Sequence, residues 1–473
     1  MLTGIKFRAY PTEEQKNILS QWMGAARAIW NAKCDQWKYE STYAKKYLPV
    51  GTYASLDQTY SQFKDNELTP YLSKVPSQVL RNSSATWYST MQNWLNPNHP
   101  QVAPARRKKK TSEDSVYLTR ELFQFVADDT SKKLKLIIGT KKNALGCLDF
   151  NQHGIFQIPN SIRIRKKAGQ WWVSFCYDDG VDESTLLSQQ DRLNQLRKES
   201  RESLEDLVTG VDRGVAVAAH SDTTKYAYTD AEKLSLAKKE IQRKRYQRRM
   251  ARQVKGSNRR NKTKSKIARI YDDIANVRNN FCHQVSHNLT KPTESVPIKV
   301  VVMEDLKITN MTKAPEPKKN EQSGKWEKNG ARSKAGLNRS ILSIGWYKLE
   351  EYTRYKAHRR GGLLIKISPQ FSSQECADCG HIHPDNRVSQ DTFVCQACGH
   401  RDNADHNAAL VLKKRAIDLI LNSGTELSSK GVLSLPDTGR GAKRKTYRVK
   451  ARSKGNEASK MMGGVSLPEA SPL

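Results

Sequence analysis

Apolar and polar residues alternate from the first positions. Ile5, Phe7 and Ala9 share one side with polar residues between them, the two-residue period of a strand. Thr12 and Gln15 follow Pro11 at capping-box spacing, and Ile18, Trp22, Ala25 and Ile29 then recur along one helical face. Helical, aromatic-rich sequence runs on to about Leu95, broken at Pro49, Pro70 and Pro76. Alternation returns at residues 116–118, 122–126, 134–138, 162–165 and 171–177, the last two joined as a hairpin through Ala168-Gly169. Strands of this number and length predict a small antiparallel barrel, with 5–9 as a candidate member.

The second half reads differently. Residues 207–219 form an apolar strand pattern interrupted by Asp212, and 298–303 (IKVVVM) form a buried strand ending at Glu304. Between them lie helical runs over 233–266 and 267–289. Residues 312–336 hold lysines, prolines and glycines with few apolar anchors, which predicts a long loop behind Glu304. A helix over 338–359, a strand over 363–367 and a helix over 405–421 follow; the last carries Ala409, Leu412, Ala416 and Leu419 on one face. From 422 onward the chain is polar and rich in Gly, Ser and Lys, the composition of a disordered basic tail.

Charge changes what this pattern means. The 473 residues hold 81 Lys and Arg against 48 Asp and Glu, a net charge of +33. Such an excess calls for a polyanion, nucleic acid before membrane surface. The start has no apolar signal core and no 18-residue apolar run is present, so a cytoplasmic protein is expected, neither secreted nor membrane-bound. The cations are concentrated in two places. The Pro-rich linker 96–110 ends in Arg106, Arg107 and three lysines, and the run 233–266 includes Arg243, Arg245, Arg248 and Arg249 with Glu240 its only acid. A solvated helix is the plain reading of the second run; phosphate contact accounts better for its one-sidedness. The aromatic residues Trp30, Trp37, Tyr39, Tyr43, Tyr47, Tyr53 and Tyr60 serve either a core or base stacking.

Two motifs carry candidate chemistry. Cys376/Cys379 and Cys395/Cys398 are Cys-x-x-Cys pairs, each followed by glycine and separated by residues 380–394. That spacing fits a four-cysteine zinc site, closed and structural; unrelated pairs or a disulfide knot are the alternatives. The other cysteines, Cys34, Cys147, Cys176 and Cys282, read as small buried residues. The second motif is scattered: Asp212 within an apolar strand, Glu304 at a strand end and Asp405 at a helix start. Singly, Asp212 is compatible with a turn and Asp405 with an N-cap. Converging at one sheet edge, three carboxylates would be hard ligands for Mg²⁺ or Mn²⁺, and two such ions ~4 Å apart support phosphodiester cleavage.

Several stretches resemble TnpB, the transposon-encoded RNA-guided nuclease of the insertion-sequence OrfB family, and more distantly the miniature type V CRISPR nucleases. They are GIKFRAYPTEEQ at the start, GVDRG around Asp212, VVMEDL around Glu304, LNRSILSIGWYKLEEYTRYKAHRRG from Leu337, FSSQECADCG from Phe371 and DHNAALVL from Asp405. The resemblance is specific in the C-terminal half and loose between about 35 and 200. It implies an α/β multidomain chain: an RNase H-like (RuvC) nuclease domain with a zinc-ribbon insert, plus an oligonucleotide-binding-like wedge barrel with a helical recognition insert. On this chain the implied domains are 1–10 (first wedge strand), 11–110 (recognition), 111–205 (wedge), 206–370 and 403–421 (nuclease), 371–402 (zinc-binding) and 422–473 (tail). The implied catalytic acids are Asp212, Glu304 and Asp405, binding Mg²⁺ or Mn²⁺, and the zinc ligands are Cys376, Cys379, Cys395 and Cys398. His406 departs from the pattern at a position where relatives vary and is expected to be harmless. The implied partners are a transposon-end-derived guide RNA and double-stranded target DNA, one protein per RNA, in the prokaryotic cytosol. The competing functions are an RNA-guided DNA binder without cleavage and a DNA transposase.

Overall fold

A computed structural model describes residues 1–52, 56–65, 67–109, 113–128, 131–141, 144–182, 186–320 and 322–435. Tyr53 and the stretch 436–473, most of the expected tail, lie outside the described residues.

The first half is built on two antiparallel sheets and a helical insert. Strand β1 (Leu2–Ala9) leads into the long helix α1 (Glu13–Tyr47), then α2 (Pro70–Ser73) and α3 (Ser77–Leu95). The capping box forms as expected, Thr12 N–H donating to Gln15 Oε1 at 3.1 Å and Gln15 N–H to Thr12 Oγ1 at 3.3 Å. Next come β2 (Asp114–Thr119), β3 (Phe123–Asp128), β4 (Ser131–Gly139), β5 (Ala144–Leu148), β6 (Phe150–Asn151), β7 (Ser161–Lys167) and β8 (Gln170–Asp178). One sheet has the order β2-β7-β8-β1-β6 and the other β3-β4-β5. Strand β1 does join the later strands, pairing with β8 along its whole length. The β7–β8 turn works because Ala168 and Gly169 both take positive φ, 49° and 75°, matching the strand twist. Phe7, Phe125, Phe156 and Phe175 meet Trp22 and Ile29 of α1 in one shared core. Cys34 is buried as expected, but Cys147 and Cys176 are exposed, because the outward positions of β5 and β8 bear them.

The second half is an α/β layer. After α4 (Gln189–Leu196) and α5 (Arg201–Leu207) come β9 (Val208–Asp212), β10 (Ala219–Ser221) and β11 (Lys225–Tyr226). Strand β9 thus ends at Asp212 rather than running through it, and the chain turns over 213–218. The basic run expected as one helix over 233–266 is split. Helix α6 (Asp230–Ala251) ends at a turn where Gly256 takes φ 85°, and the lysines beyond belong to α7 (Asn258–Thr290). Strand β12 (Val300–Glu304) precedes α8 (Ile308–Met311) and a small exposed hairpin, β13 (Lys318–Lys319) with β14 (Trp326–Glu327). The expected helix over 338–359 is two, α9 (Ala331–Ile344) and α10 (Trp346–Arg359), broken where Gly345 takes φ 83°. Then follow β15 (Leu363–Ile367), β16 (Thr392–Val394), β17 (Arg401–Asn403) and α11 (Ala404–Leu421). The tail begins later than composition implies: β18 (Glu426–Leu427) and β19 (Leu433–Ser434) form a hairpin that buries Leu433 against the sheet.

The main sheet has the order β11-β10-β9-β12-β15, with β9, β12 and β15 parallel, β10 antiparallel to β9, and β11 antiparallel to β10. Every residue of β12 is buried, which explains its unbroken apolar run: a central parallel strand is covered on both faces. Val300 and Val302 face Leu412, Ala416 and Ile417 of α11, whereas Val301 and Met303 share the other core with Val285 of α7 and Leu349 of α10.

Candidate metal centres and nucleic-acid interface

Adjacent parallel strands bring the first two acids together. Met303 pairs with Val211, so Asp212 and Glu304 are the next residues on neighbouring strands, at the carboxyl edge of the sheet. Crevices beyond that edge are where open α/β sheets place ligands. Helix α11 supplies the third acid and starts at the same edge, because Gly210 and Ala409 let it lie directly on β9. A Cβ on Gly210 would stand 2.0 Å from the Ala409 carbonyl oxygen. Asn403 caps α11, its side chain accepting from the amides of Asp405 and His406 at 3.1 and 3.2 Å. Asp405 Oδ2 lies 3.9 Å from where Gly214 would carry a Cβ, so this acid faces the turn after Asp212. His406 braces the same corner, its ring nitrogens meeting Asp402 Oδ2 at 2.6 Å and the Asp222 carbonyl at 3.0 Å.

Electrostatics mark this edge as unusual. Burial, reinforced by Glu304 and then Asp405, pushes the Asp212 carboxyl up to about 7. Burial also raises Glu304, opposed by a hydrogen bond from Ser372 Oγ at 2.7 Å and by the nearby Arg213 and Arg415. Arg387 reaches Asp405 Oδ1 at 3.5 Å. Behind the edge, the buried Arg213 donates to the Glu304 carbonyl oxygen and lies 3.5 Å from Glu350, which Lys366 meets at 3.1 Å. Hard oxygen donors kept together against their own repulsion suit a divalent cation.

The cysteines form a tighter group. All four Sγ atoms lie within 4.8 Å of one another; among the described residues no other set of three or more acids, histidines or cysteines is so close. Cys376 meets Cys398 at 3.7 Å and Cys379 meets Cys395 at 3.6 Å, so each contact joins one pair to the other. A tetrahedron with Zn–S bonds of ~2.3 Å has edges of ~3.8 Å, whereas a disulfide requires ~2 Å. The geometry therefore fits a zinc ion and not a disulfide knot. Each pair sits on the same turn, closed by Gly380 N–H to Cys376 O at 2.9 Å and Gly399 N–H to Cys395 O at 3.1 Å. Both glycines have φ near 75°. The cluster fits a zinc ribbon joined to the sheet by β15 and α11.

The basic candidates divide on inspection. Arg243 is engaged within the α6–α7 hairpin, bonding Glu240 at 2.6 Å and Tyr271 Oη at 3.0 Å. Arg245, Arg248 and Arg249 are exposed along α6. The linker is laid along α1: Trp30 Nε1 donates to the Arg106 carbonyl at 2.8 Å, and Arg107 pairs with Asp35. Of the aromatic residues, Trp30 and Trp37 pack in a small core with Trp87, while Tyr39, Tyr43 and Tyr47 are exposed at i, i+4, i+8. No helix among the described residues is long and apolar enough to cross a membrane.

The sequence reading missed Arg213, Lys366, Ser372, Arg387 and Arg415. Their signal is faint: an Arg beside Asp212, a Lys in an apolar strand and the serines of FSSQEC.

Three family profiles match segments of the chain. "Cas12f1-like, TNB domain" covers 346–412, "Probable transposase" of the OrfB_IS605 family covers 186–314, and "Helix-turn-helix domain" of the same family covers 1–42, which here folds as β1 and α1. The chain is 29% identical to the "Putative RNA-guided DNA endonuclease InsQ" of Escherichia coli (strain K12) over 86% of this chain and 90% of that one. It is 26% identical to the "CRISPR-associated endodeoxyribonuclease Cas12f1" of Sulfoacidibacillus thermotolerans, over 62% of each chain. It also overlays a solved Cas12f1–guide RNA–target DNA complex at 12% identity, covering 87% of this chain and 98% of that one with a TM-score of 0.45.

Proposed function

We propose that this chain, a TnpB-like relative of the miniature type V nucleases, is an RNA-guided DNA endonuclease whose reaction centre is formed by Asp212, Glu304 and Asp405. The observation that carries this is the meeting of the three acids at one sheet edge, with the Asp212 carboxyl held near 7 by burial and then by Glu304 and Asp405. The strand order β11-β10-β9-β12-β15, with one antiparallel strand beside Asp212, supports an RNase H-like reading of the fold. The nuclease activity for which both relatives are named supports it.

Asp212, Glu304 and Asp405 would hold Mg²⁺ or Mn²⁺, which supplies Lewis acidity toward the scissile phosphate and its attacking water. The protein's own part is to keep the acids within reach of one another, to keep Asp212 deprotonated once its charge is compensated, and to hold the strand against them. The two sheets of residues 111–205 and the helices of 11–110 are read as the wedge and recognition parts. Residues 206–370 and 403–421 are read as the nuclease and 371–402 as its zinc module. A guide RNA occupying the basic surface would select target duplex by base pairing, with the protein reading a short flanking motif. One protein per RNA is expected.

The test is to sequence the RNA that copurifies with the full chain and to challenge the complex with plasmids bearing or lacking the matching target. Cleavage confined to matched plasmid supports the reading. Matched binding without cutting would favour a guided binder, and DNA-end joining without RNA would favour a transposase.

A further inference from the structure

Between the end of β15 and the first cysteine lies a short bridge, residues 368–375, that touches both candidate centres. Its Ser372 is buried, and the hydroxyl donates to Glu304 Oε1 at 2.7 Å. A hydroxyl has one proton to give. Among the described residues its other acceptor is the Pro369 carbonyl, at 3.1 Å, and the shorter bond to a carboxylate is the stronger. The residue before it, Phe371, has φ 60°, a left-handed conformation that crowds a side chain with a Cβ and persists only where its surroundings enforce it. Those surroundings are on α11. Arg415 donates to the Gln370 carbonyl at 2.8 Å and pairs with Glu375; Asn407 donates to the Glu375 carbonyl at 2.7 Å and accepts from the Ala377 amide at 2.9 Å. The bridge is thereby fixed to the helix that carries Asp405.

We propose that Ser372 is a positioning residue for the metal centre, holding the Glu304 carboxylate in its ligating orientation, and that the bridge around it transmits the integrity of the cysteine module to that centre. This rests on the metal-binding reading of Glu304. The hydroxyl leaves Glu304 Oε2 for a cation while fixing the plane of the carboxylate, as outer-shell partners of ligating carboxylates do. Because Ser372 lies four residues before Cys376, movement of the cysteine cluster would be felt at Glu304 through the bridge.

The test uses the zinc-loaded full chain, freed of nucleic acid at high salt for a thermal-melting titration with Mn²⁺ and guide-loaded for cleavage titrated with Mg²⁺. Ser372→Ala is expected to raise both half-saturating concentrations by about tenfold. Its melting midpoint without added cation should stay near wild type, and cleavage should recover at high Mg²⁺. Ser372→Thr, which keeps the hydroxyl, should restore the wild-type response. Unchanged half-saturation in Ser372→Ala overturns the proposal, as does a cleavage loss that Mg²⁺ does not recover and that tracks a lowered midpoint. Glu304→Gln separates the two levels. If it responds to Mn²⁺ as wild type does, the reading of Glu304 as a ligand fails. If it loses the response while Ser372→Ala keeps it, only the role of Ser372 falls.

Discussion

The two ligand clusters differ in what holds their donor atoms together. The cysteines lie on two small turns whose own hydrogen bonds aim the thiols inward, and the four sulfurs close on one point. The carboxylates come from two strands and a helix far apart in sequence, and only the packing of the sheet brings them to one edge. The first arrangement is local and saturated, suited to structure. The second is long-range and mutually repulsive, which suits the proposed chemistry better than a structural role. On the proposed reading this is what a metal site needs: a buried acid titrating near 7 is a poor stabiliser but would be a responsive ligand.

The sharpest difference should appear on truncation. Asp212→Ala, Glu304→Ala and Asp405→Ala should each reduce cleavage to background while RNA and DNA binding persist, since on the proposed reading each removes a metal ligand and no phosphate contact. Near wild-type cutting by any one of them in Mg²⁺ would show that residue is misassigned. Cys395→Ser should instead lower zinc content from one per chain, lower the melting midpoint, and reduce cleavage about tenfold or more as the bridge and α11 loosen. Active protein without zinc, by metal analysis, would contradict this.

What the residues revealed in advance follows the same division. The cysteine cluster was legible because its cysteines and glycines are local, and the placement of Asp212 and Glu304 at the ends of apolar strands was legible because a carboxylate there is out of place. Ser372 and Arg213 were not, since a serine bonded to an acid 68 residues away has no local signature. Helix breaks at Gly256 and Gly345 were missed because helical periodicity continues across them, and only the positive φ of each glycine turns the chain. The β18–β19 hairpin was missed because few apolar residues, Leu433 chief among them, anchor it. Arg243 was grouped with its exposed neighbours because one of the two side chains that engage it, Tyr271, lies on the next helix, beyond the reach of local sequence.

Dependence of the carboxylate site on packing can be probed without touching an acid. Gly210→Ala places a Cβ against the Ala409 carbonyl and must displace α11. The expected loss is at least ~1–3 kcal/mol of stability, with cleavage reduced more than zinc content. Denaturation, metal analysis and cleavage on one preparation check it; unchanged cleavage would mean that α11 is free to shift.

The smallest effect concerns pH. The folded-state value of Asp212, about 7, lies above its ordinary 3.8, so the folded chain holds this proton more tightly than the unfolded one. Its contribution to stability is full below about pH 4 and is lost as pH rises through 7. A cation replaces the proton, so the rise in melting midpoint on adding Mn²⁺ should be larger at pH 8 than at pH 5.5. An equal rise at both would argue that Mn²⁺ binds elsewhere.

The most direct measurement of the central claim is a structure of the guide-loaded, target-bound complex in Mn²⁺ with anomalous scattering recorded. Two manganese peaks ~4 Å apart are expected at the carboxyl edge of β9 and β12, within coordination distance of Asp212, Glu304 and Asp405. A complex with target strand at that edge and no manganese between these acids would contradict it.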